Sequence, residues 1–464
     1  MSRLGKSGPS KVFFLWFFEF ALLAGCVRLA GSLRFMHDAP GLLEFSDNLL
    51  WRAVLFALVL CLSMTAFGLH HVYLRKNRFG FLLRELYAFV FGGVALLVLY
   101  YLFPLAYIGR GVLVSTLLLG FFGVMILRLA WGAVFASHTL RSRVLVLGAG
   151  ETASFLERRM RRSTDRRNFR VIGYVPSAGD EIKIESNLLV RGEGNVDQVA
   201  QLLDADEILV ALDEEKQRCP HMEALLAAIG RGVRVCDMPT FVEREAGMIT
   251  LTRLDPSWLV FGHGYDHSLP RRINKRAFDF AFASLILVLT SPLMLLVALA
   301  IRLESKGPIL YKQVRVGIHG AKFWVFKFRS MRVDAEKDGV AQWAKRDDDR
   351  VTRVGRFIRM ARLDELPQLI NVLRGEMSLV GPRPERPQFV DSLNQQIRFY
   401  DMRHSVLPGL TGWAQLRYPY GASVRDAEEK LRFDLFYVKN HTFFSDLSIL
   451  LQTVEVVLLG KGAR

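Results

Sequence analysis

The sequence predicts a membrane protein built from a helical bundle, an α/β domain and a C-terminal domain that carries a further apolar helix. Three observations lead to this fold class. Hydrophobic residues make up 51% of the 464 residues, and the mean hydropathy is positive, at +0.22. Apolar stretches long enough to cross a bilayer, about 20 residues each, crowd into the first third of the chain. Beyond them the pattern changes to short alternating strands and helices, before one long apolar stretch returns.

Residues 1–140 are predicted to form a four-helix transmembrane bundle. The predicted spans are Phe13–Ala30, Leu50–Leu69, Leu86–Ile108 and Gly111–Phe135. Lys and Arg residues precede the first span, separate the second from the third, and follow the fourth, whereas the loop after the first span is mainly acidic. Because positive charge stays on the cytoplasmic side, both ends of the bundle are expected to face the cytoplasm.

The net charge of +16 would suggest nucleic acid in a soluble protein. In a membrane protein it favours anionic lipid headgroups and phosphorylated substrates, so we expect a lipid bilayer and no nucleic acid as partners. The four cysteines are far apart, without a Cys-x-x-Cys spacing, which predicts apolar packing and neither zinc nor a disulfide framework.

Residues 141–265 are predicted to form a Rossmann-like domain with a parallel sheet. A buried strand from Arg143 runs into a glycine turn in which Gly148, Gly150 and Ala153 match the G-x-G-x-x-A dinucleotide pattern. No acidic residue clearly ends the second strand, where Val175 is followed by Pro and Ser. Two interpretations stay open: the glycines bind a nucleotide, or they permit tight packing of strand against helix.

A membrane bundle followed by such a domain is also the layout of nucleotide-sugar dehydratases. Those enzymes need a catalytic Tyr-x-x-x-Lys pair, and no tyrosine in the chain has a lysine four residues later. A dehydratase therefore loses its main catalytic pair. A non-enzymatic membrane assembly or sensor subunit is a further alternative.

The apolar stretch Phe278–Ile301 has the length of a transmembrane helix. Basic residues flank both of its ends, which would place both ends in the cytoplasm. Ser291-Pro292 lies in the middle, and proline removes a backbone donor there. The pattern predicts a re-entrant helix over residues 273–304, broken at this pair with Ser291 meeting a freed backbone group, while a kinked span is the alternative.

From about Lys275 to its C-terminus the chain resembles the bacterial sugar transferases, the monotopic phosphoglycosyl transferases. Sequence blocks in the order of that family carry the resemblance. They are Lys275–Asp279, Ser291-Pro292, Gly307-Pro308, Gln313–Gly317, Lys327–Met331, Leu363–Leu369 with Asn371, Gly381–Glu385, and Pro408–Trp413. The resemblance implies that residues 266–464 form a mixed α/β catalytic domain with the re-entrant helix.

The two preceding domains resemble the large form of the family, which hands a hexose-1-phosphate from a UDP-sugar to undecaprenyl phosphate. Further stretches resemble the subgroup found with exopolysaccharide systems linked to PEP-CTERM protein sorting. They are Gln342–Ala344, Tyr418–Ser423 and Gly460–Gly462. The family places such enzymes in the bacterial inner membrane with the catalytic domain on the cytoplasmic face, and a homodimer is compatible with it. Neither the hexose, glucose or galactose, nor the pathway follows from these residues.

The adjacent carboxylates Asp364 and Glu365 are the predicted catalytic residues. The resemblance implies that Asp364 attacks the sugar-bearing phosphorus, releasing UMP and leaving a phosphosugar on the enzyme, and that Glu365 helps to hold Mg²⁺. Pro367 indicates a helix start or kink at which both side chains could converge. Arg362 stands before the pair, where many relatives carry a small residue.

Basic side chains are predicted to bind the phosphates and the nucleotide. Arg383, held between Pro382 and Pro384, is positioned to fork onto a diphosphate, and Arg359 matches a family arginine expected to contact phosphate. Lys327 and Arg329 are further candidates. The acidic run Asp347–Asp349 lies between arginines and predicts a solvated loop rather than a metal site. The tail Leu447–Leu459 predicts a helix that packs on the domain or lies at the membrane surface.

Overall fold

The protein is described by a computed structural model. It describes residues 8–47, 49–67, 69, 78–135, 141–159, 169–190, 195–213, 220–251, 268–333, 350–418, 421 and 423–458. The chain divides into two compact units, Met1–Gly247 and Met248–Arg464. The predicted loop at Asp347–Asp349 lies outside the described residues.

Apolar helices dominate the first part of the first unit. They are α1 (Gly8–Arg34), α2 (Ala39–Ser46), α3 (Leu49–Ala66), α4 (Arg78–Leu102) and α5 (Arg110–Phe135). Two glycines of α5 let α1 approach closely, since a Cβ at Gly120 would lie 2.9 Å from Leu23 and one at Gly123 would lie 3.0 Å from Leu22. An ion pair between buried Glu19 and Arg128 joins the same two helices.

Four helices in the described part of the chain are long and apolar enough to cross a membrane. They cover Phe13–Arg34, Phe81–Leu102, Arg110–Trp131 and Leu269–Glu304. The first three confirm predicted helices of the bundle. The predicted span Leu50–Leu69 is a shorter apolar helix, Leu49–Thr65, which is not among the four helices long enough to cross a membrane.

A four-stranded parallel sheet follows the apolar helices. Its strands are β1 (Ser142–Leu147), β2 (Phe169–Val175), β3 (Glu207–Val210) and β4 (Arg234–Asp237), in the order β2-β1-β3-β4. The helices between and after them are α6 (Glu151–Arg159), α7 (Val196–Leu202), α8 (Met222–Gly230) and α9 (Met238–Ala246). Leu145, Ile208 and Leu225 belong to one buried core of the sheet and its helices. The parallel pairing confirms the predicted parallel sheet, and the strand predicted from Arg143 is β1. The assignment to the Rossmann-like class itself stays a prediction.

The second unit begins its described helices with α10 (Leu269–Glu304), which is 36 residues long. Helical backbone continues through Pro292, so the predicted break of the helix at Ser291-Pro292 is wrong, whereas its re-entry into the membrane stays a prediction. The expected exchange of partners is confirmed, because the Ser291 hydroxyl donates to the Val288 carbonyl at 2.8 Å. That carbonyl is the one that the missing amide of Pro292 would otherwise serve, so the helix accommodates proline without a break.

Side chains near the start of α10 hold it to the rest of the second unit. The Arg276 guanidinium donates to the carbonyls of Val372 and Leu373, at 2.5 and 2.6 Å, near the end of helix α12 (Gln368–Arg374). A cation is favourable at the negative end of a helix. The buried Asp279 carboxylate accepts from Leu379 N at 3.1 Å, and this fixes α10 against the strand that leads into the candidate site.

The second unit is a mixture of helices and short strands, as predicted for a mixed α/β domain. The strands are β5 (Leu310–Val316) and β6 (Lys322–Phe328), which form an antiparallel hairpin, and β7 (Ser378–Val380) and β8 (Gly409–Thr411), which pair in parallel. The remaining helices are α11 (Arg353–Met360), α12, α13 (Pro387–Gln396), α14 (Trp413–Arg417), α15 (Val424–Asn440) and α16 (Phe443–Leu458). The predicted tail helix is α16, which packs on the domain through buried Ile449 and through the 2.7 Å hydrogen bond between Thr453 and Thr411.

Candidate active site

The predicted catalytic pair lies on a single turn of 3₁₀ helix, Leu363–Glu365, between α11 and α12. Arg362, directly before it, has a left-handed backbone with φ of 58°. The chain therefore reverses sharply, and α12 begins just after Pro367, as the proline predicted. Both carboxylates are buried, with 9% of each residue exposed.

Glu365 is neutralised by two cations that reach the same oxygen. Its Oε1 accepts from Lys327 Nζ at 3.0 Å and from Arg383 Nη2 at 2.5 Å. Burial would raise the pKa of Glu365, but the charges of Arg383 and Lys327 outweigh burial and hold that pKa well below its usual range. Glu365 is therefore a permanent carboxylate, and no described residue donates to its other oxygen, Oε2.

Asp364 differs from its neighbour, because no hydrogen bond or ion pair from the described residues ends on its carboxylate. Burial raises its pKa above the usual value, and the Glu365 charge raises it further, against the lowering effects of Lys327, Arg359 and Arg383. A buried carboxylate without a partner is costly in a folded protein. Its oxygens are available to a substrate, which is the state expected of a nucleophile.

Arg383 reaches Glu365 from the loop that follows β7. A buried arginine, Arg403, donates to the Arg383 carbonyl at 2.9 Å and to the carboxylate of buried Asp434 at 2.8 Å. Arg315 on β5 donates to the Pro384 carbonyl at 3.0 Å. Pro382 accepts from the Gly409 amide at 2.9 Å, so every residue of the Pro-Arg-Pro turn is held by its backbone carbonyl.

Sequence reasoning missed two of these supporting residues and marked a third only as part of a block. Arg403 and its partner Asp434 stand outside the recognised sequence blocks, and no local pattern marks them. Arg315 lies inside the Gln313–Gly317 block, which was the only available signal for it. Burial lowers the pKa of Arg315 to about 10, although Glu385 opposes this effect.

The structure brings together some of the predicted phosphate ligands and separates one. Lys327, on β6, and Arg383 meet at Glu365, while Arg359, in the last turn of α11, acts electrostatically on Asp364. Arg329 is buried and donates instead to the backbone carbonyls of Ser305 and Lys306, at 2.8 and 3.1 Å. Its guanidinium thus supports the chain that leaves α10.

The carboxylates fit the predicted Mg²⁺ by the chemistry of their donors. Mg²⁺ prefers one or two carboxylates together with substrate phosphates over a cage made only of protein side chains. Glu365 Oε2 and the Asp364 carboxylate are hard oxygen donors without a partner in the described residues. Within the same residues, no group of three or more His, Cys, Asp or Glu side chains could hold a metal ion.

The candidate nucleotide loop in the first unit has its helix amides already in use. The Asp213 carboxylate accepts from the amides of Glu151 and Thr152, at 2.9 and 2.8 Å, at the start of α6. A Cβ on Gly150 would lie 2.0 Å from an oxygen of Asp213. A carboxylate of the chain therefore lies where a pyrophosphate would bind in a dinucleotide fold.

The remaining residues of this loop serve close packing. A Cβ on Gly148, whose φ is 114°, would lie 2.4 Å from the Ala211 carbonyl oxygen, and Ala153 is fully buried. The Ala149 amide donates to Asp180 at 2.9 Å. These contacts favour tight packing of strand against helix over nucleotide binding, the two alternatives that the sequence left open.

Comparison with known proteins adds an independent observation. The family model described as bacterial sugar transferase matches residues 270–460. The UDP-N-acetylgalactosamine-undecaprenyl-phosphate N-acetylgalactosaminephosphotransferase of Aeromonas hydrophila is 47% identical over 190 residues, which cover 41% of this chain and 45% of that protein. The undecaprenyl-phosphate glucose phosphotransferase of Komagataeibacter xylinus is 34% identical over 333 residues, 70% of this chain and 61% of that protein.

A shorter relative is matched over nearly its whole length. The exopolysaccharide production protein PSS of Rhizobium leguminosarum is 44% identical over 196 residues, which cover 40% of this chain and 97% of that protein. By contrast, the chain spans less than two thirds of the length of the Aeromonas and Komagataeibacter relatives. The family model covers the part of the chain that holds the carboxylate pair.

Proposed function

The chain belongs to the bacterial sugar transferase family, and from that membership we propose that it transfers a hexose-1-phosphate from a UDP-sugar to undecaprenyl phosphate. The products are a polyprenyl-diphosphate-sugar and UMP. This is the first membrane step of an exopolysaccharide synthesis, a role supported by the name of the Rhizobium relative. We place the protein in the bacterial inner membrane with the carboxylate pair on the cytoplasmic side, where nucleotide sugars are found.

The observation that carries the proposal is the unequal environment of the two adjacent carboxylates. Asp364 has no hydrogen-bond partner among the described residues, whereas Lys327 and Arg383 both bind Glu365. Transfer of a phosphosugar between two phosphates needs a free nucleophile beside fixed positive charge, because negative charge builds up on the transferred group.

The proposed reaction has two displacement steps. An Asp364 oxygen attacks the phosphorus that bears the sugar, and the bond from that phosphorus to the oxygen of UMP breaks, so UMP leaves with the electron pair. An oxygen of undecaprenyl phosphate then attacks the same phosphorus. The acyl phosphate bond breaks, and the Asp364 carboxylate is restored.

Cationic side chains make both steps favourable by offsetting the charge of the phosphates. Arg383 and Lys327 are fixed by Glu365, and Arg359 adds positive charge next to Asp364. Preorganised charges of this kind stabilise a transition state without rearranging during the reaction. Mg²⁺, held by Glu365 with the substrate phosphates, would offset further negative charge when bound.

We propose that α10 enters the membrane and returns to the cytoplasm. Support comes from the basic flanks Arg271, Arg272, Arg302 and Lys306, from Pro292 in the apolar middle, and from the Ser291 hydroxyl that replaces its missing donor. The helix would bend at the proline without leaving a bare carbonyl in lipid. A cysteine placed at Arg302 should react with an impermeant thiol reagent only from the cytoplasmic side, and periplasmic labelling would mean that the helix spans.

The activity is tested with the purified full-length protein in bilayer discs, offered a panel of UDP-sugars. UDP-glucose, UDP-galactose and UDP-N-acetylgalactosamine come first, and UMP release and a phosphosugar adduct on the protein are measured. Asp364→Ala should neither release UMP nor form the adduct, while the control Asp391→Ala, at an exposed aspartate, should do both. Absence of UMP release by the wild type with every donor would refute the proposed activity, and wild-type turnover by Asp364→Ala would refute the nucleophile.

The metal is tested separately from the nucleophile. Excess chelator should abolish UMP release, and added Mg²⁺ should restore it. In the same samples, Mg²⁺ should raise the melting temperature in the presence of UDP for the wild type but not for Glu365→Gln. Full activity in excess chelator would remove the metal from the proposal.

A further inference from the structure

Three charged side chains are buried in the membrane bundle, within the stretches of α1, α4 and α5 that are long and apolar enough to cross a bilayer. Glu19 and Glu85 are fully inaccessible to solvent, and the Arg128 side chain is 6% exposed. Charged side chains at membrane depth are costly and rare, and they mark functional sites more often than packing. The proposed transfer reaction uses none of the three.

Arg128, on α5, is fully engaged with its neighbours. It forms an ion pair with Glu19 on α1, and its Nη1 donates to the Leu69 carbonyl, just after α3, at 3.1 Å. Its guanidinium also lies 5.5 Å from the centre of the Phe81 ring on α4. Arg128 therefore ties α5 to the other helices of the bundle, and Glu19 neutralises its charge.

Glu85, on α4, has no such partner. Both of its carboxylate oxygens are buried, and no residue in the described part of the chain donates to either of them. The charges of Arg128 and Glu19 act on Glu85 with opposite signs, and because those two form an ion pair, their effects largely offset each other. A carboxylate without donors and away from water is much less stable than its uncharged acid form.

The helices around the cluster add a thiol and a second arginine in the described part of the bundle. Cys61, on α3, is fully buried near the ion pair, and Arg84 is buried on α4. The charges that act on Glu85, however, are those of the ion pair. One turn further along α4 the Ser63 hydroxyl of α3 donates to the Ala88 carbonyl at 2.8 Å. None of these groups compensates a negative charge on Glu85.

We propose that Glu85 is a proton-binding site inside the bundle, occupied at neutral pH, and that Arg128 turns from Glu19 toward Glu85 when the proton leaves for water. With the proton bound, Glu85 is uncharged, and the ion pair holds α1 against α5. Once the proton leaves, two buried carboxylates share one guanidinium. The proton therefore controls which helix α5 is tied to.

A small monovalent cation such as sodium is the competing ligand, and the two ligands leave Glu85 in different chemical states. A bound cation requires the carboxylate, whereas a bound proton gives the carboxylic acid. The infrared absorption of the carboxyl group distinguishes these states directly.

The test compares the wild type with Glu85→Gln, which removes the acid but keeps the shape of the side chain. Both are prepared full-length in discs of the same lipid at neutral pH, so that the ester carbonyls of the lipid cancel in the difference spectrum. The difference should show the carbonyl stretch of a carboxylic acid. Glu223→Gln, at an exposed glutamate on α8, is the control and should show only the stretches of a carboxylate. If Glu85→Gln fails to fold, as judged by thermal unfolding, Glu85→Met takes its place.

Carboxylate stretches in the Glu85→Gln difference would overturn the proposal, and they are the result expected for a bound cation. The exchange of partners is tested by Glu19→Gln, which frees Arg128. Compared with the Glu19→Gln/Glu85→Gln double variant, it should show Glu85 as a carboxylate at neutral pH. An acid band that persists in a folded Glu19→Gln protein would overturn the exchange.

Thermal unfolding follows the release of the proton. The folded chain holds a proton that an unfolded chain gives up above about pH 5, so the stability of the wild type should fall as the pH rises. Between about pH 6 and pH 9 the melting temperature of the wild type should fall by about 3 °C or more relative to that of Glu85→Gln. Parallel profiles would mean that the proton does not leave in this range, which would overturn the exchange of partners.

Discussion

Two regions of the molecule place carboxylates beside hydrogen-bond donors, and they do so with opposite results. In the glycine loop, Asp213 and Asp180 satisfy the backbone amides that a bound phosphate would use. On the 3₁₀ turn, Glu365 satisfies Lys327 and Arg383, while Asp364 is left without a partner in the described residues. The first arrangement is closed to an anionic ligand, and the second leaves the Asp364 carboxylate open to a substrate beside the charges of Lys327, Arg359 and Arg383.

This difference shows why a pattern of residues is weaker evidence than the state of their hydrogen bonds. The glycine pattern matches a nucleotide fingerprint, yet its donors are used within the chain. An adjacent Asp-Glu pair is ordinary in a sequence, yet one member is buried and unpaired, which native proteins usually avoid.

The largest effect is expected when one carboxylate charge is removed from each of the two regions in turn. Glu365→Gln should lower UMP release roughly a hundredfold or more, because Lys327 and Arg383 lose the charge that orients them. Asp213→Asn should keep turnover within about twofold, since the loop has no part in the reaction. Initial rates at saturating UDP-sugar measure both, with thermal unfolding as a check on folding. A comparable loss in a folded Asp213→Asn protein would give the glycine loop a function.

A smaller effect is expected from the residue that holds the Pro-Arg-Pro turn. Arg403→Lys keeps the charge but cannot bind the Arg383 carbonyl, Asp434 and Tyr400 together. We expect kcat to fall roughly tenfold with less change in the KM for the UDP-sugar, because Arg383 is displaced rather than lost. Arg398→Lys, at an exposed arginine nearby, is the control. A higher KM with an unchanged kcat would assign Arg403 to substrate binding instead.

The pH dependence of the reaction tests the charges around Asp364. Its pKa is raised by burial, and Arg359 is among the groups that lower it. In the proposed reaction the carboxylate is the reactive form, so kcat/KM should fall as the pH drops through this pKa. Arg359→Gln removes a lowering influence and should move the acid limb to higher pH, by about 0.5 to 1 unit. Arg356→Gln, on the exposed part of the same helix, should leave the limb in place, and a shift toward lower pH in Arg359→Gln would contradict the assignment.

The smallest effect concerns backbone conformation. Gly148 takes the positive φ in the glycine loop, whereas the 3₁₀ turn is entered through Arg362 with φ of 58°. Arg362→Gly and Arg362→Ala remove the same charge, but only glycine is free of the Cβ clash in this conformation. The glycine variant should be more stable by ~1 kcal/mol. Thermal unfolding in detergent measures the difference, and equal stability would mean that the turn relaxes in the alanine variant.

Much of the fold followed from the sequence because its signals are local. Apolar runs marked the helices of the bundle, and alternating buried strands marked the parallel sheet. The long helix α10 was placed correctly, but its backbone continues through Pro292, where a break was predicted and a kinked span was the alternative. Proline disfavours a helix through a missing hydrogen bond and a clash of its ring with the preceding turn, and the hydroxyl of Ser291 replaces the missing bond here.

The site was less predictable where its residues act through tertiary contacts. Asp364, Glu365, Lys327 and Arg383 were identified through their sequence blocks, which the resemblance made recognisable. Arg329 was grouped with them, but its buried guanidinium serves the chain after α10. Arg403 is 20 residues from Arg383 in the sequence, and only folding brings its guanidinium to that carbonyl.

The hydrogen bond from Ser291 to the Val288 carbonyl makes substitutions at Ser291 and Pro292 depend on each other. Replacing the serine alone by alanine would leave the Val288 carbonyl without a donor, and in the proposed membrane position this costs several kcal/mol because no water can reach it. Replacing both Ser291 and Pro292 by alanine would give the Val288 carbonyl its ordinary amide donor and complete the backbone hydrogen bonds of α10. During evolution, Ser291 and Pro292 are therefore expected to be kept or lost together.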